Sequence, residues 1–306
     1  MLKGIFFRHS PPAKLGIATL LILLSFFLLY FVGIVLAVSV FHWNIFQSPE
    51  LLTDFKNPEN IKVLKFLQLI QSVGLFVIPP FLFAYFAYPS VTEFLRLKRK
   101  NSFNILLLTV LAGICFLPFS NLLAWFNSFL TFPSFMSGVE QWMRASENSA
   151  TEITTAFLNV TNTSGLLYNI LLIAIIPSIG EELLFRGVLQ RIFTEWSKSF
   201  HWGIWISAIL FSAIHMQFFG FLPRLFLGVF FGYMLEVTGS LWFPMVAHFV
   251  NNLTGVLLSY FVAKQAIPQD AGDFGMTNGT WFYGIVGGIL GGLLFWLVVR
   301  KKDRIL

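Results

Sequence analysis

The chain has 306 residues, of which 57% are hydrophobic, only 11% are charged and 38 are phenylalanine. Soluble domains carry about 25% charged residues, so this composition excludes a water-exposed globular protein and indicates an integral membrane protein. The net charge of +6 does not indicate nucleic-acid binding, because the basic residues cluster at the ends of apolar segments. That distribution is typical of membrane proteins.

Apolar runs of about 20 residues are long enough to cross a bilayer, and they predict an all-α, polytopic transmembrane helical bundle with about eight spans. The predicted spans are 15–41, 63–88, 103–129, 165–191, 202–219, 222–237, 241–263 and 281–299. The first run is too long for the hydrophobic region of a cleavable signal peptide, so we expect it to be retained. Pro79 and Pro80 should interrupt the second span, because proline removes helical hydrogen bonds.

Lysine and arginine predict the orientation of the bundle. With the N-terminus inside, 13 of the 20 basic residues fall in or beside inner segments, and Arg186 lies within a span. The other six lie outside or near outer ends: Lys56, Lys62, Lys65, Arg144, Arg224 and Lys264. By the positive-inside rule both termini should be cytoplasmic, which requires an even number of spans.

The loop 130–164 has an apolar rhythm in Phe135, Met136, Val139, Trp142 and Met143. This pattern is compatible with an amphipathic helix on the outer face and equally with a solvated connection.

Glycines recur every four residues in two spans. Gly228 and Gly232 do so in the sixth, and Gly284, Gly288 and Gly292 in the last. Small residues at this spacing let transmembrane helices approach closely, so we interpret both sets as packing surfaces.

The fourth predicted span contains the segment GEELLFR, residues 180–186. An ionised carboxylate at bilayer depth costs several kcal/mol and marks a candidate functional site. Glu182 and Arg186 are four residues apart with the acid first, the favourable order on a helix. We therefore expect Arg186 to neutralise Glu182, leaving Glu181 on a different face of the helix.

Three more polar residues fall at similar depth in two other predicted spans. From the helical rise, Glu181 lies about 15 Å from the inner boundary, His215 about 20 Å, His248 about 10 Å and Asn252 about 16 Å. Each must find a polar partner in hydrocarbon, so the common depth predicts one shared cavity.

These residue types allow several chemistries. A carboxylate and an imidazole can activate a water for hydrolysis, and an imidazole and an amide can stabilise an oxyanion. A glutamate and two histidines could also bind zinc, although the His-Glu-x-x-His signature is absent from the sequence. A structural polar network and a transport pathway remain alternatives.

The three patterns EExxxR (181–186), FxxxH (211–215) and HxxxN (248–252) occur in this order along the chain. Together they resemble the CPBP family, the group of type II CAAX prenyl endopeptidases and of bacteriocin-processing or bacteriocin-immunity (Abi) membrane proteins. The resemblance covers about residues 165–263. It divides the chain into an N-terminal membrane region (1–164), a CPBP-like catalytic core (165–263), and an outer loop, last span and basic cytoplasmic tail (264–306).

The resemblance implies an intramembrane endopeptidase with its active site in a cavity open toward the cytoplasmic side. Glu181 would be the general base, holding the attacking water with His215, while His248 and Asn252 would stabilise the oxyanion. The supporting residues would be Glu182 and Arg186.

The resemblance also implies a membrane-associated peptide or protein substrate and a location in the plasma membrane of a bacterium. The lipid bilayer is the other expected partner, and nucleic acid is not expected. Both metal-dependent and glutamate-dependent mechanisms are ascribed to the family, so no cofactor is certain and a divalent metal such as zinc is an alternative. Two other functions stay open: a non-catalytic peptide-binding immunity or scaffold protein, and a proton-coupled transporter. The transporter is less favoured because no inverted repeat with matching Gly or Pro breaks is visible.

Overall fold

The computed structural model describes residues 2–43, 55–98, 102–277 and 279–302. All regular secondary structure in these ranges is helical, which confirms the predicted all-α class. The main helices are α1 (Pro11–Ser39), α2 (Pro58–Ala87), α3 (Phe103–Ser128), α4 (Ser137–Leu158), α5 (Thr163–Ser197), α6 (Phe200–Ala213), α7 (Phe221–Thr238), α8 (Trp242–Ala263) and α9 (Trp281–Lys302).

Seven of these helices, in the part of the chain that the structure describes, are long and apolar enough to cross a membrane. They are α1, α2, α3, α5, α7, α8 and α9. The predicted fifth span, 202–219, instead contains α6, an apolar helix of 14 residues. At 1.5 Å per residue such a helix is about 21 Å long, shorter than the roughly 30 Å hydrocarbon core. The apolar run continues past Ala213, but the helix ends there and Met216 takes a left-handed conformation.

The connection after α6 nevertheless reaches the far end of the bundle. Asn127, near the end of α3, donates from Nδ2 to the carbonyl of Phe218 at 2.8 Å and accepts from the N–H of Leu222 at 3.0 Å. The N–H of Phe219 also donates to Glu147 on α4. α6 and its connection together therefore form a return path, and the chain still alternates in direction as predicted.

The described residues nearest the two ends of the chain lie on one face of the bundle, called the terminal face below. The N–H of Gly4 donates to the carbonyl of Tyr85 at 3.0 Å, and Lys14 forms an ion pair with Glu195 at 2.8 Å near the end of α5. At the other end of the chain, Val298 packs in one cluster with Ile105 near the start of α3. The opposite face carries α4 and is called the α4 face. The cytoplasmic position of the terminal face stays a prediction, and Arg99, Lys100 and Arg304, which support it, lie outside the described residues.

Helix α4 is the helix predicted in the loop 130–164.

Prolines account for irregular turns in two spans. A π-helical turn at Val73–Val77 precedes Pro79 and Pro80 in α2, at the point where interruption is predicted. A second, Ile170–Ile175, precedes Pro177 in α5.

Glycines bring helix pairs close together, as predicted. A Cβ atom placed on Gly228 would lie 2.9 Å from the Cβ of Ala208, and one on Gly232 would lie 2.8 Å from the Ile204 side chain, so α7 packs tightly on α6. On α9 the prediction is only partly right. Gly284 and Gly288 face α3, but nothing lies within 4 Å of a Cβ on Gly292; the other residues of this contact are Gly287 and Gly291.

Candidate active site

Glu181, His215, His248 and Asn252 line a single cavity of about 320 Å³. They come from α5, the connection after α6, and α8. Glu181 is 9% exposed and His248 is 4% exposed, whereas His215 and Asn252 are half-buried. The structure thus brings together the four residues that the sequence singles out, in a pocket whose other walls are largely apolar.

Beneath this cavity, Glu182 and Arg186 form the predicted ion pair. Arg186 Nη1 lies 2.6 Å from Glu182 Oε1, and both side chains are buried. The second Arg186 nitrogen, Nη2, donates to the carbonyl of Gly228 at 3.0 Å, and the guanidinium lies 4.5 Å from the ring centroid of Phe211. Charge pairing, a hydrogen bond and an aromatic face together offset the desolvation of the arginine.

His248 is tied to the same carboxylate. Its Nδ1 atom lies 2.9 Å from Glu182 Oε1, and a carboxylate can only accept, so Nδ1 carries a proton. The ring stacks on Phe231, with centroids 5.0 Å apart. Its other nitrogen, Nε2, is 3.9 Å from Glu181 Oε2. Glu182 therefore fixes the orientation that turns Nε2 toward Glu181, a contact between distant spans that sequence spacing does not reveal.

His215 is oriented by its own backbone. Its Nδ1 atom lies 2.7 Å from the carbonyl of Phe211, four residues earlier. A carbonyl also only accepts, so Nδ1 donates and the neutral ring presents Nε2 as an acceptor. An acceptor in this cavity is suited to holding a water.

Asn252 is held by a proline effect in α5. Pro177 has no N–H to donate to the carbonyl of Ile173, four residues earlier. Asn252 Nδ2 donates to that carbonyl oxygen at 3.1 Å instead. Asn251 donates to Asn252 Oδ1 at 3.1 Å. Because an amide nitrogen has two N–H groups, one donor on Asn252 is left for a ligand.

Four polar residues of the cavity wall are not among the candidates from sequence: Gln68, Thr154, Arg224 and Asn251. Sequence reasoning places Arg224 near the end of a span, and the structure has it in the first turn of α7, where it lines the cavity and donates to the side chain and the backbone oxygen of Gln217. Its charge within a predicted span is the signal that could have indicated a cavity residue.

A metal centre needs several ligating side chains that converge on one point. In the described ranges no group of three or more His, Cys, Asp or Glu residues is placed so that it could hold a metal ion. Glu182 Oε1 and His248 Nδ1 are already committed to each other. As placed, the side chains of the described residues therefore do not form a metal site.

The fold and the cavity define a membrane-embedded helical bundle with a carboxylate, two imidazoles and an amide facing one pocket. Residues 163–254 match the family model described as Type II CAAX prenyl endopeptidase Rce1-like. This match confirms the family resemblance predicted from the sequence, and it includes all six candidate residues.

Two relatives from Bacillus subtilis (strain 168) extend the comparison. Over 86 residues the chain is 33% identical to the uncharacterized protein YpbD, a match that covers 27% of this chain and 41% of YpbD. Over 190 residues it is 26% identical to YdiL, and this match covers 62% of this chain and 71% of YdiL. The name of YdiL describes that protein as a membrane peptidase, a provisional assignment. No solved structure gives a significant match to the chain.

Proposed function

We propose that this protein is an intramembrane endopeptidase of the CAAX-protease-like type, acting on membrane-associated peptides in the plasma membrane of a bacterium. The observation that carries the proposal is the shared cavity: Glu181, His215, His248 and Asn252, from separate elements, face the same space. The family match over 163–254 supports the reaction class.

In the proposed reaction Glu181 is the general base. A water held between the Glu181 carboxylate and Nε2 of His215 loses a proton to Glu181 as its oxygen attacks the scissile carbonyl carbon. When the carbon–nitrogen bond breaks, Glu181 returns this proton to the amine that leaves. The water's atoms are thereby divided between the new carboxyl and amino ends, as hydrolysis requires.

The tetrahedral intermediate carries a negative oxygen, which needs donors. Asn252 has one N–H left after its bond to Ile173, and it donates to this oxygen. His248, held at Nδ1 by Glu182, donates from Nε2 in its imidazolium form. Removing one such donor typically costs about 10²–10³ in kcat.

The test is cleavage of a library of membrane-anchored peptides, with and without prenyl groups, by purified protein in liposomes. We expect product with wild type and almost none with Glu181→Gln or His215→Ala. Glu59→Gln is the matched control, because it removes the same charge from an exposed side chain, and it should leave the rate unchanged. Equal product from all variants would reject the proposal, and peptide binding that survives Glu181→Gln without any cleavage by wild type would favour the immunity or scaffold function.

A further inference from the structure

We propose that substrates reach the cavity from the α4 face, opposite the terminal face, so that the peptides cleaved are those on the extracytoplasmic side of the membrane. That these peptides are cleaved rests on the proposed function, but the access route itself is independent of catalysis. It differs from the cytoplasmic opening that the family resemblance implies.

The cavity occupies the half of the bundle nearer the α4 face. In α5, which starts on that face, the wall runs from Leu172 to Glu181 and stops there. In α7, which also starts there, it runs from Arg224 to Phe231. Among the described residues, none of the connections on the terminal face contributes to the wall. The cavity therefore begins at the α4 side and ends at the candidate catalytic residues.

The path from the terminal face is closed by packed apolar side chains. Leu183 and Val188 are each 1% exposed, just past Glu181 along α5. They belong to one cluster with Leu95, Leu241 and Met245 from the terminal-face side of the bundle. A cleft on that side, beside Arg186, has a volume of about 10 Å³, room for about one water. A peptide could reach Glu181 this way only by displacing the cluster.

On the other side, the rim is formed by α4 and α2. Ile153, Thr154 and Phe157 of α4 line the cavity, as does Gln68 of α2. Thr154 and Gln68 are both exposed. Because these two polar side chains of the cavity wall are exposed, the cavity is open to the surroundings at this rim.

Helix α4 lies across the rim and is attached near its middle and near its C-terminal end. In the middle, Glu147 accepts from the N–H of Phe219 at 3.1 Å, and the guanidinium of Arg144 lies 4.6 Å from the Phe219 ring centroid. Near the C-terminal end, Asn169 Nδ2 donates to the carbonyl of Phe157 at 2.8 Å. These contacts position α4 as a wall of the opening and leave the rim beside Thr154 uncovered.

Charge assigns the two faces to the two sides of the membrane. Lys14, Arg96, Lys98 and Arg191 lie at the terminal face, held by contacts among α1, the Val91–Phe94 turn and α5. The positive-inside rule places this face in the cytoplasm. The α4 face, and with it the opening, is then extracytoplasmic.

The test uses the single cysteine of the chain, Cys115. On a Cys115→Ala background, one new cysteine is introduced at a time: Thr154→Cys at the rim, Leu227→Cys in the cavity wall and Glu93→Cys at the terminal face. Each variant is treated in intact cells with a membrane-impermeant maleimide, and again after permeabilisation. We expect T154C and L227C to be labelled in intact cells several-fold faster than E93C, which should react only after permeabilisation.

Three results would overturn the inference: labelling of E93C but not T154C in intact cells, labelling of L227C only from the side of E93C, or no labelling of L227C from either side. Gln68→Cys replaces T154C if that variant is poorly expressed. Because labelling needs no catalysis, a protein that labels as expected but cleaves nothing would refute the proposed function and leave the access route standing.

Discussion

His248 on α8 donates from Nδ1 to the carboxylate of Glu182 on α5, 2.9 Å away, although the two residues are 66 positions apart in the chain. The same oxygen of Glu182 also accepts from Arg186 Nη1 at 2.6 Å. One buried carboxylate thus holds both an arginine on its own helix and an imidazole on another. The charged pair beneath the cavity is therefore part of what positions the candidate catalytic residues.

Replacing Glu182 by glutamine should destabilise the protein strongly. The substitution leaves Arg186 charged, 1% exposed and without its counter-charge, and breaking a buried pair in this way costs about 3–5 kcal/mol. Thermal unfolding of purified protein in detergent measures the effect. Glu140→Gln is the control, since Glu140 and Arg144 form an i,i+4 pair that is much more exposed and worth only about 0.3–0.5 kcal/mol. Equal shifts in melting temperature for the two variants would contradict the central role of Glu182.

Asn252→Ala should lower kcat with little change in KM. The variant loses the proposed oxyanion donor, for which a loss of about 10²–10³ in kcat is expected. Steady-state cleavage of a membrane-anchored reporter peptide in liposomes measures both constants. Asn251→Ala is the control: Asn251 also lines the cavity, but its side chain donates to the Asn252 oxygen and has no proposed role toward the substrate, so its effect should be smaller. A rise in KM alone for the Asn252 variant would indicate substrate binding in place of oxyanion stabilisation.

Gly228→Ala should loosen the packing of α7 on α6. The added Cβ would lie 2.9 Å from Ala208 and 3.4 Å from Arg186 Nη2, and such overpacking typically costs about 1–3 kcal/mol. Unfolding temperature in detergent again reports the change.

Gly292→Ala provides the comparison for this prediction, because nothing lies within 4 Å of a Cβ at that position. Within a helix, replacing glycine by alanine at a compatible site stabilises by about 0.4–1 kcal/mol. A loss of stability at Gly292 as large as that at Gly228 would show that the substitution acts through something other than the close approach of α7 and α6.

Removal of divalent metals should leave activity unchanged. The described residues contain no group of three or more His, Cys, Asp or Glu side chains placed to hold a metal ion, and the proposed reaction needs none. Cleavage is measured after dialysis against a chelator, with zinc added back in a parallel sample. Activity that disappears on dialysis and returns with zinc would contradict the glutamate-only reaction.

Local patterns in the sequence were enough for features that depend on neighbouring residues. Hydropathy predicted the helical class and all seven helices that are long enough to span, together with one span too many, and a spacing of four predicted the contact between Glu182 and Arg186. Depth along each span gave the layer shared by Glu181, His215 and His248. Each of these depends only on distance along a single helix.

Features that depend on how helices are rotated about their axes did not follow from the sequence. Depth does not say which way a side chain faces, so neither the bond of His248 to Glu182 nor the place of Arg224 in the cavity wall was predicted. The fifth span was overestimated because hydropathy reports an apolar run, not the turn after Ala213 that ends the helix. Tertiary packing decides all three.

Pro177 connects the positions of the proposed base, Glu181, and the proposed oxyanion donor, Asn252. Because this residue offers no N–H, the carbonyl of Ile173 takes its hydrogen bond from Asn252 on α8, and Glu181 follows Pro177 by four residues on the same helix. Asn252 is thereby anchored about two turns before Glu181, at a carbonyl that the proline cannot satisfy. When the helices shift to admit a substrate, these two groups should move as one unit, and the distance across the scissile bond would be preserved while the rest of the cavity adapts.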